Sequence, residues 1–206
     1  MKDFFTPFAT AVQRSNLNNK TLNDELVKFA KTERKKIKGR TVSNVGGFQS
    51  EMYDPLKNEP SILKDFSNAT VPYLNKYVKY YEIKEPYTIE AVETWINING
   101  GRDYNLHHSH SGGLSPCDFS GVYYAQVPKN SGHLVLINPD SIALQQKFYY
   151  YENNHFNQFN SGKYTIEPKD MDLVLFSSHI YHHVLPNYNS TQSRISYSFN
   201  FNICKP

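Results

Sequence analysis

The sequence predicts a mainly β fold, a sandwich or jelly roll flanked by N-terminal helices. Three observations carry this expectation. From about residue 90 onward, six runs rich in β-branched and aromatic residues alternate with turn residues. Aromatic residues are 15% of the chain, with 16 Tyr and 13 Phe, which suits strands that bury much of their surface. Helical spacing of apolar residues is confined to the first 90 positions. A length of 206 residues suffices for one sizeable core, so a single domain over 1–206 is expected. Within it, 1–90 reads as a mixed, helical support region and 91–203 as the jelly-roll core.

Taken in order, "NNKTLNDELVKFAKTERKK" opens with Asn and Thr as start signals and then places Leu22, Leu26, Val27 and Ala30 on one helical face. This predicts a helix over about 21–36. The stretch "GRTVSNVGGFQSEMYDP" reads as loop and short strand. "PSILKDFSNATVPYLNKYVKYY" predicts a second helix, interrupted or bent near Pro72, whose ring removes a backbone donor. Strands are then expected at 90–98, 119–127, 133–139, 163–168, 171–178 and 194–203. The breaks between them, "NGGRDYN", "PKNSG" and "PNYNSTQS", consist largely of turn formers. "YYYENNHFNQFN" reads as a polar-aromatic loop, and no repeat of fixed period is present.

Charge and cysteine usage exclude several classes. The formal charge is only +3, and the basic residues gather in "KTERKKIKGR" rather than interleaving with aromatics. That run is the pattern of a solvated helix face and argues against a nucleic-acid partner. Cys117 and Cys204 form no disulfide framework and no CxxC pair, so a reducing, cytoplasmic setting is expected. The first residues carry Asp3 and a broken apolar run unlike a signal peptide. No segment reaches the roughly 18 apolar residues of a membrane span.

Six of the eight histidines fall in two short windows. "YNLHHSHSGG" holds His107, His108 and His110; "FSSHIYHHVLPN" holds His179, His182 and His183. In a strand, residues i and i+2 share a face, so His108 and His110 converge while His107 and Ser109 point away. His182, from a distant strand, can supply a third nitrogen. Three nitrogens on one face leave open positions for a chelating substrate, the logic of a mononuclear iron or zinc site. A rim of surface histidines would give the same spacing, so this pattern alone leaves both readings standing.

The last strand adds a second kind of signal. In "RISYSFNFNI", Arg194, Ser196, Ser198, Asn200 and Asn202 share one face, and Ile195, Tyr197, Phe199, Phe201 and Ile203 the other. By itself this describes a strand with a solvated polar face. If that face looks into a pocket, the guanidinium requires an anionic partner. A dicarboxylate chelating the metal at one end and pairing with Arg194 at the other would supply one.

The succession of HxH, "SGVYY", "LVLFSSHIYHHVLPN" and "RISYSFNF" resembles the 2-oxoglutarate- and Fe(II)-dependent oxygenases, and among them a prolyl-hydroxylase-like branch known from marine bacteria and their phages. "SNVGGFQS" (43–50) and "WINING" (95–100) are similar to that branch as well, so the resemblance spans roughly 43–203. It implies a double-stranded β-helix whose enzyme couples oxidative decarboxylation of 2-oxoglutarate to hydroxylation of a second substrate, such as a peptidyl proline. Fe(II), the small-molecule cosubstrates 2-oxoglutarate and O2, and ascorbate as reductant follow from it, with the host cytoplasm as the setting for a phage-borne chain.

On that resemblance, His108 matches the first iron ligand and His182 the distal one, since "HHVLPN" continues the family's pattern. His110 stands where the wider superfamily has a carboxylate. Arg194 matches the residue that binds the far carboxylate of 2-oxoglutarate, Ser196 completes an RxS pattern, and Tyr124 resembles a tyrosine reaching the same carboxylate. Asn97 and Asn99 are candidates for the pocket lining. His107, His179 and His183 fall to supporting roles, and no role is evident for His133 or His155. Three-histidine iron sites occur in other dioxygenases, and a neutral third ligand leaves the centre more positive. The alternative is a cupin, a metal-binding jelly roll that does not use 2-oxoglutarate. Cupins usually have a Glu shortly after HxH, where this chain has Leu114 and Ser115, and a Gly shortly before the last His, absent from "EPKDMDLVLF".

Overall fold

The computed structural model describes residues 9–54, 57, 60–112, 117–140 and 161–205. The expected loop at 149–160, with His155, and the pair Leu114 and Ser115 lie outside the described residues. In chain order the elements are β1 (Val12–Asn16), α1 (Lys20–Lys36), β2 (Asn44–Val45), β3 (Phe48–Gln49), α2 (Ser61–Tyr80), β4 (Thr88–Asn99), β5 (Tyr104–His108), β6 (Phe119–Gln126), β7 (Leu134–Ile137), β8 (Lys163–Ile166), β9 (Asp172–Ser177), β10 (His182–Val184) and β11 (Arg194–Cys204).

The strands form two antiparallel sheets, ordered β1-β9-β6-β11-β4-β3 and β2-β5-β10-β7-β8. This is a jelly roll, as the sequence predicts. Both helices and all six expected strands are present. Three strands fall outside the six expected runs: β1, which pairs with β9, and β5 and β10, which pair with each other and which the histidine spacing presupposes without bounds. The start of β5 lies in the turn-rich run "NGGRDYN", and β10 has only three residues, too few to show a period.

The helices explain which face of the larger sheet looks inward. In α1, the Asn19 side chain accepts from the Leu22 amide at 3.1 Å, and Leu22, Leu26 and Ala30 are buried. Helix α2 runs on through Pro72 as one helix, because Phe66 on one side of the proline and Leu74, Tyr77 and Val78 on the other bury in the same core. Against them pack Ile195, Tyr197, Phe199 and Phe201, the apolar row of β11. Phe66 touches the Tyr123, Tyr197 and Phe199 rings with centroids 5.3 to 5.8 Å apart. Because strand side chains alternate, filling this helix-facing core sends the other row of β11 between the sheets. A smaller apolar cluster, with Tyr124, Leu134, Leu136, Val174, Phe176 and Ile180, fills part of that interior. The remaining interior is polar.

The long pairing of β11 with β4 doubles the polar row. Arg194 lies opposite Asn99, Ser196 opposite Asn97, Ser198 opposite Trp95 and Asn200 opposite Glu93. Gly46 and Gly47, at φ +68° and +66°, let the chain pass from β2 in one sheet to β3 in the other, a conformation that disfavours side chains.

Candidate metal centre and cosubstrate pocket

Strand β10 lies between β5 and β7, and its register sets His182 directly across from His108. His110 reaches the same point by a route other than the one expected. Strand β5 ends at His108, and His110 stands just beyond it, anchored by its backbone N–H on the Ser178 carbonyl at 2.9 Å. The three rings nonetheless converge: centroids are 5.2 Å apart for His108 and His110, 4.3 Å for His108 and His182, and 5.0 Å for His110 and His182. One ring nitrogen from each lies within 4.8 Å of the others. His107, as expected, points elsewhere. It stacks on Tyr181 at 4.8 Å and lies 6.2 Å from His183 on the outer face of the sheet.

The hydrogen bonds on the far side of each ring test whether this cluster suits a metal. His108 Nδ1 faces the Leu106 carbonyl at 2.7 Å, and His182 Nδ1 faces the Ile180 carbonyl at 2.9 Å. A carbonyl only accepts, so both rings carry their proton on Nδ1. His110 Nδ1 faces Asn200 Oδ1 at 2.8 Å and Ser120 Oγ at 2.7 Å. All three Nε2 lone pairs are then free for one shared centre, the second-layer pattern found around metal-bound histidines. Burial depresses the basicity of all three. His110 is pushed down to about 4 and His182 to about 3, with the neighbouring imidazoles adding to the effect, and His108 is lowered as well. Neutral imidazoles are what a divalent cation requires. The donor set fits iron.

Above this cluster the same cavity is lined by Trp95, Asn97, Tyr124, Arg194, Ser196 and Ser198. Arg194 is 1% exposed, yet among the described residues no carboxylate lies within ion-pair distance of it. Its Nη1 donates to the Gly132 carbonyl at 2.6 Å and its Nη2 to Asn99 Oδ1 at 3.0 Å, whereas Nε has no partner among the described residues. Asn97 donates to Ser198 Oγ at 3.1 Å, and its Oδ1 is likewise without a partner. A buried cation with an orphaned donor is costly unless an anion completes it. Tyr124 is fully buried beside it, and burial raises its phenol to about 12, so it remains a hydroxyl.

All the predicted site residues therefore gather in one interior, with Asn99 as a direct partner of Arg194. The sequence reading did not foresee Glu93, Trp95 or Ser120. Trp95 packs edge-on against His110 at 5.5 Å, and Glu93 accepts from Asn200 Nδ2 at 2.8 Å. The signal was present in "ETWININ", where the row of Asn97 and Asn99 extends back with period two to Trp95 and Glu93.

Residues 93–200 match the protein family described as "Putative 2OG-Fe(II) oxygenase". Solved structures share the fold at low identity. A Pseudomonas putida prolyl-4-hydroxylase is 14% identical with a TM-score of 0.62, covering 96% of this chain and 94% of its own. The viral collagen prolyl hydroxylase of Paramecium Bursaria Chlorella virus-1, solved with 2OG, is 13% identical with a TM-score of 0.59, covering 92% and 94%. The non-heme α-ketoglutarate-dependent epimerase SnoN from nogalamycin biosynthesis is 9% identical with a TM-score of 0.65, covering 96% and 82%. Comparison with curated proteins finds no match.

Proposed function

The chain belongs to the 2OG-Fe(II) oxygenase family, and from that premise we propose that His108, His110 and His182 hold the iron, that Arg194 anchors 2-oxoglutarate, and that the enzyme is a hydroxylase. One observation carries the reading: a fully buried, anion-free arginine opens on the same cavity as three converging imidazoles. When bound, iron with 2-oxoglutarate and O2 supplies the oxidising power to convert a substrate C–H to C–OH, releasing succinate and CO2.

The chain's own residues bind and orient. Asn99 and the Gly132 carbonyl fix the guanidinium, and its Nε is the donor that would remain for the far carboxylate of the cosubstrate. Tyr124, held as a hydroxyl, can donate a further hydrogen bond, and Ser196 lines the wall beside it. Trp95, Val122 and Phe176 wall the cavity with apolar surface and limit water near the imidazoles. A peptidyl side chain such as proline is the substrate class we favour on the motif order. The epimerase shows that this fold also hosts other reactions.

Two free cysteines support a reducing, cytoplasmic setting. Among the described residues no helix is long and apolar enough to cross a membrane. We further read residues 1–206 as one domain, in which 91–203 carries the chemistry.

Purified protein with Fe(II), ascorbate and O2 should convert some 2-oxoglutarate to succinate without any added substrate. 2-Oxoglutarate plus metal should raise the melting temperature, because a ligand bound only by the native state stabilises it. No succinate and no thermal protection would overturn the reading. A screen of peptides and metabolites for the mass gain of one oxygen atom then identifies the substrate.

A further inference from the structure

His110 differs from the other two histidines in what orders it. Backbone carbonyls hold His108 and His182, and these cannot turn over. His110 is instead held by a side-chain amide, whose two ends differ and can exchange places. What fixes that amide is Glu93. Its Oε1 accepts from Asn200 Nδ2 at 2.8 Å, across the directly opposed pair of β4 and β11. A carboxylate only accepts, so the NH2 group of Asn200 faces Glu93 and Oδ1 faces the interior. There Oδ1 accepts from the Ser120 hydroxyl at 2.8 Å and from His110 Nδ1 at 2.8 Å. Ser120 Oγ, its own hydrogen directed to Asn200, is a second acceptor for His110 at 2.7 Å. Asn200 is 4% exposed, so solvent does not take over this role. Were the amide reversed, its NH2 would donate to His110 Nδ1, the ring proton would move to Nε2, and the lone pair facing the other imidazoles would be lost.

We propose that Glu93 is a positioning residue of the metal centre: acting through Asn200, it locks His110 in its Nδ1–H form and places a negative charge behind a ligand that carries none. The inference rests on the reading of His108, His110 and His182 as metal ligands. It explains how an imidazole can stand at the position of a carboxylate: the carboxylate is displaced outward by two hydrogen bonds, along the chain His110, Asn200, Glu93.

The test begins with metal-free full-length protein, in which nitrogen NMR of labelled histidines reads each tautomer. Wild type should show His110 as Nδ1–H, and Glu93→Gln, whose amide can turn either way, should shift it toward Nε2–H. Both proteins are then titrated with Co(II), a visible surrogate for iron. Glu93→Gln should bind about 10- to 100-fold more weakly, with shifted visible bands. In a His110→Asp background there is no tautomer to lock, and Glu93→Gln should change affinity by less than about twofold. An Nε2–H His110 in wild type, an unchanged tautomer and affinity in Glu93→Gln, or an equal loss in both backgrounds would overturn the proposal. Circular dichroism checks folding, and Glu93→Ala is read the same way where Glu93→Gln does not fold. If wild type binds no Co(II) while the tautomers behave as expected, the lock stands and the metal reading falls.

Discussion

At the scale of single residues, the proposed site assigns one group of side chains to a metal and another to an anion, and each can be removed alone. Arg194→Ala deletes charge-assisted hydrogen bonds worth roughly 1.5 to 3 kcal/mol each, so 2-oxoglutarate affinity should fall at least about tenfold. Metal affinity should barely change, because the guanidinium's own partners are Gly132 and Asn99 rather than the histidines. Arg194→Lys should recover only part of the loss, since an ammonium lacks the planar fork. Equal 2-oxoglutarate affinity in isothermal titration of Arg194→Ala and wild type would remove the anchor from the argument. Conversely, Ala at His108, His110 or His182 should strip Fe(II) from the protein, as measured by metal analysis. His107→Ala should retain its iron, because that ring stacks outward on Tyr181. The histidines were legible because they cluster in two short windows, and Arg194 because it stands in the alternating row of β11, but His110 joins the others from just beyond the end of β5 rather than by strand spacing. Glu93 was not legible, since a glutamate in a strand reads equally well as solvent-facing until its opposite neighbour is known to be Asn200.

At the scale of elements, what holds the site together is the junction between loops rather than any one strand. Asn187 shows how. It is 0% exposed in the loop after β10, and its Nδ2 donates to the Asn99 carbonyl at 2.9 Å and the Gln192 carbonyl at 3.1 Å. Its backbone N–H meets the Asp103 carbonyl at 3.0 Å, and its own carbonyl accepts from Arg102 at 2.6 Å. One residue thus ties the loop between β10 and β11 to the end of β4 through its side chain and to the turn between β4 and β5 through its backbone. Those strand ends carry Arg194 and Asn99. Asn187→Ala leaves two carbonyls without partners, at a cost of about 2 to 3 kcal/mol. The melting temperature should drop by about 5 to 10 °C, and 2-oxoglutarate binding should weaken with it. A melting temperature within a degree or so of wild type in scanning calorimetry would show that this junction is redundant. The sequence showed Asn187 only as the end of a family-like motif, because its partners come from 5 to 88 residues away. The bounds of strands β5 and β10 were hidden for a related reason. Their pairing is decided by the partner, and neither is long enough to display a period of its own.

At the scale of the whole molecule, the helices set the outcome: by covering one face of the larger sheet, they send the polar row of β11 inward, where Arg194 Nε and Asn97 Oδ1 are buried without partners among the described residues. The expected jelly roll and its alternation were therefore readable early, whereas the depth of burial at the site was not, because it depends on how two sheets close over each other. That depth has a consequence for stability against pH. His110 and His182 sit at about 4 and about 3 in the folded chain, below the roughly 6.5 of an exposed imidazole. The unfolded chain therefore binds protons at these residues more readily than the folded one. Their contribution to stability is fully present above pH about 6.5 and is lost as pH falls from there toward 3. Each unit of pKa difference is worth about 1.4 kcal/mol, so the loss between pH 6.5 and 4.5 is on the order of a few kcal/mol. For a chain of this size that is about 10 °C in melting temperature. Other groups titrate over the same range, so the measurement is a comparison: metal-free His182→Gln, which cannot take up the proton, should show a distinctly flatter decline than metal-free wild type. Saturating Co(II) should make the wild-type decline steeper, because protons then compete with the metal for the same nitrogens. If wild type and His182→Gln decline in parallel with and without metal, the imidazoles are neither buried nor ligating in solution, and the site as drawn is wrong.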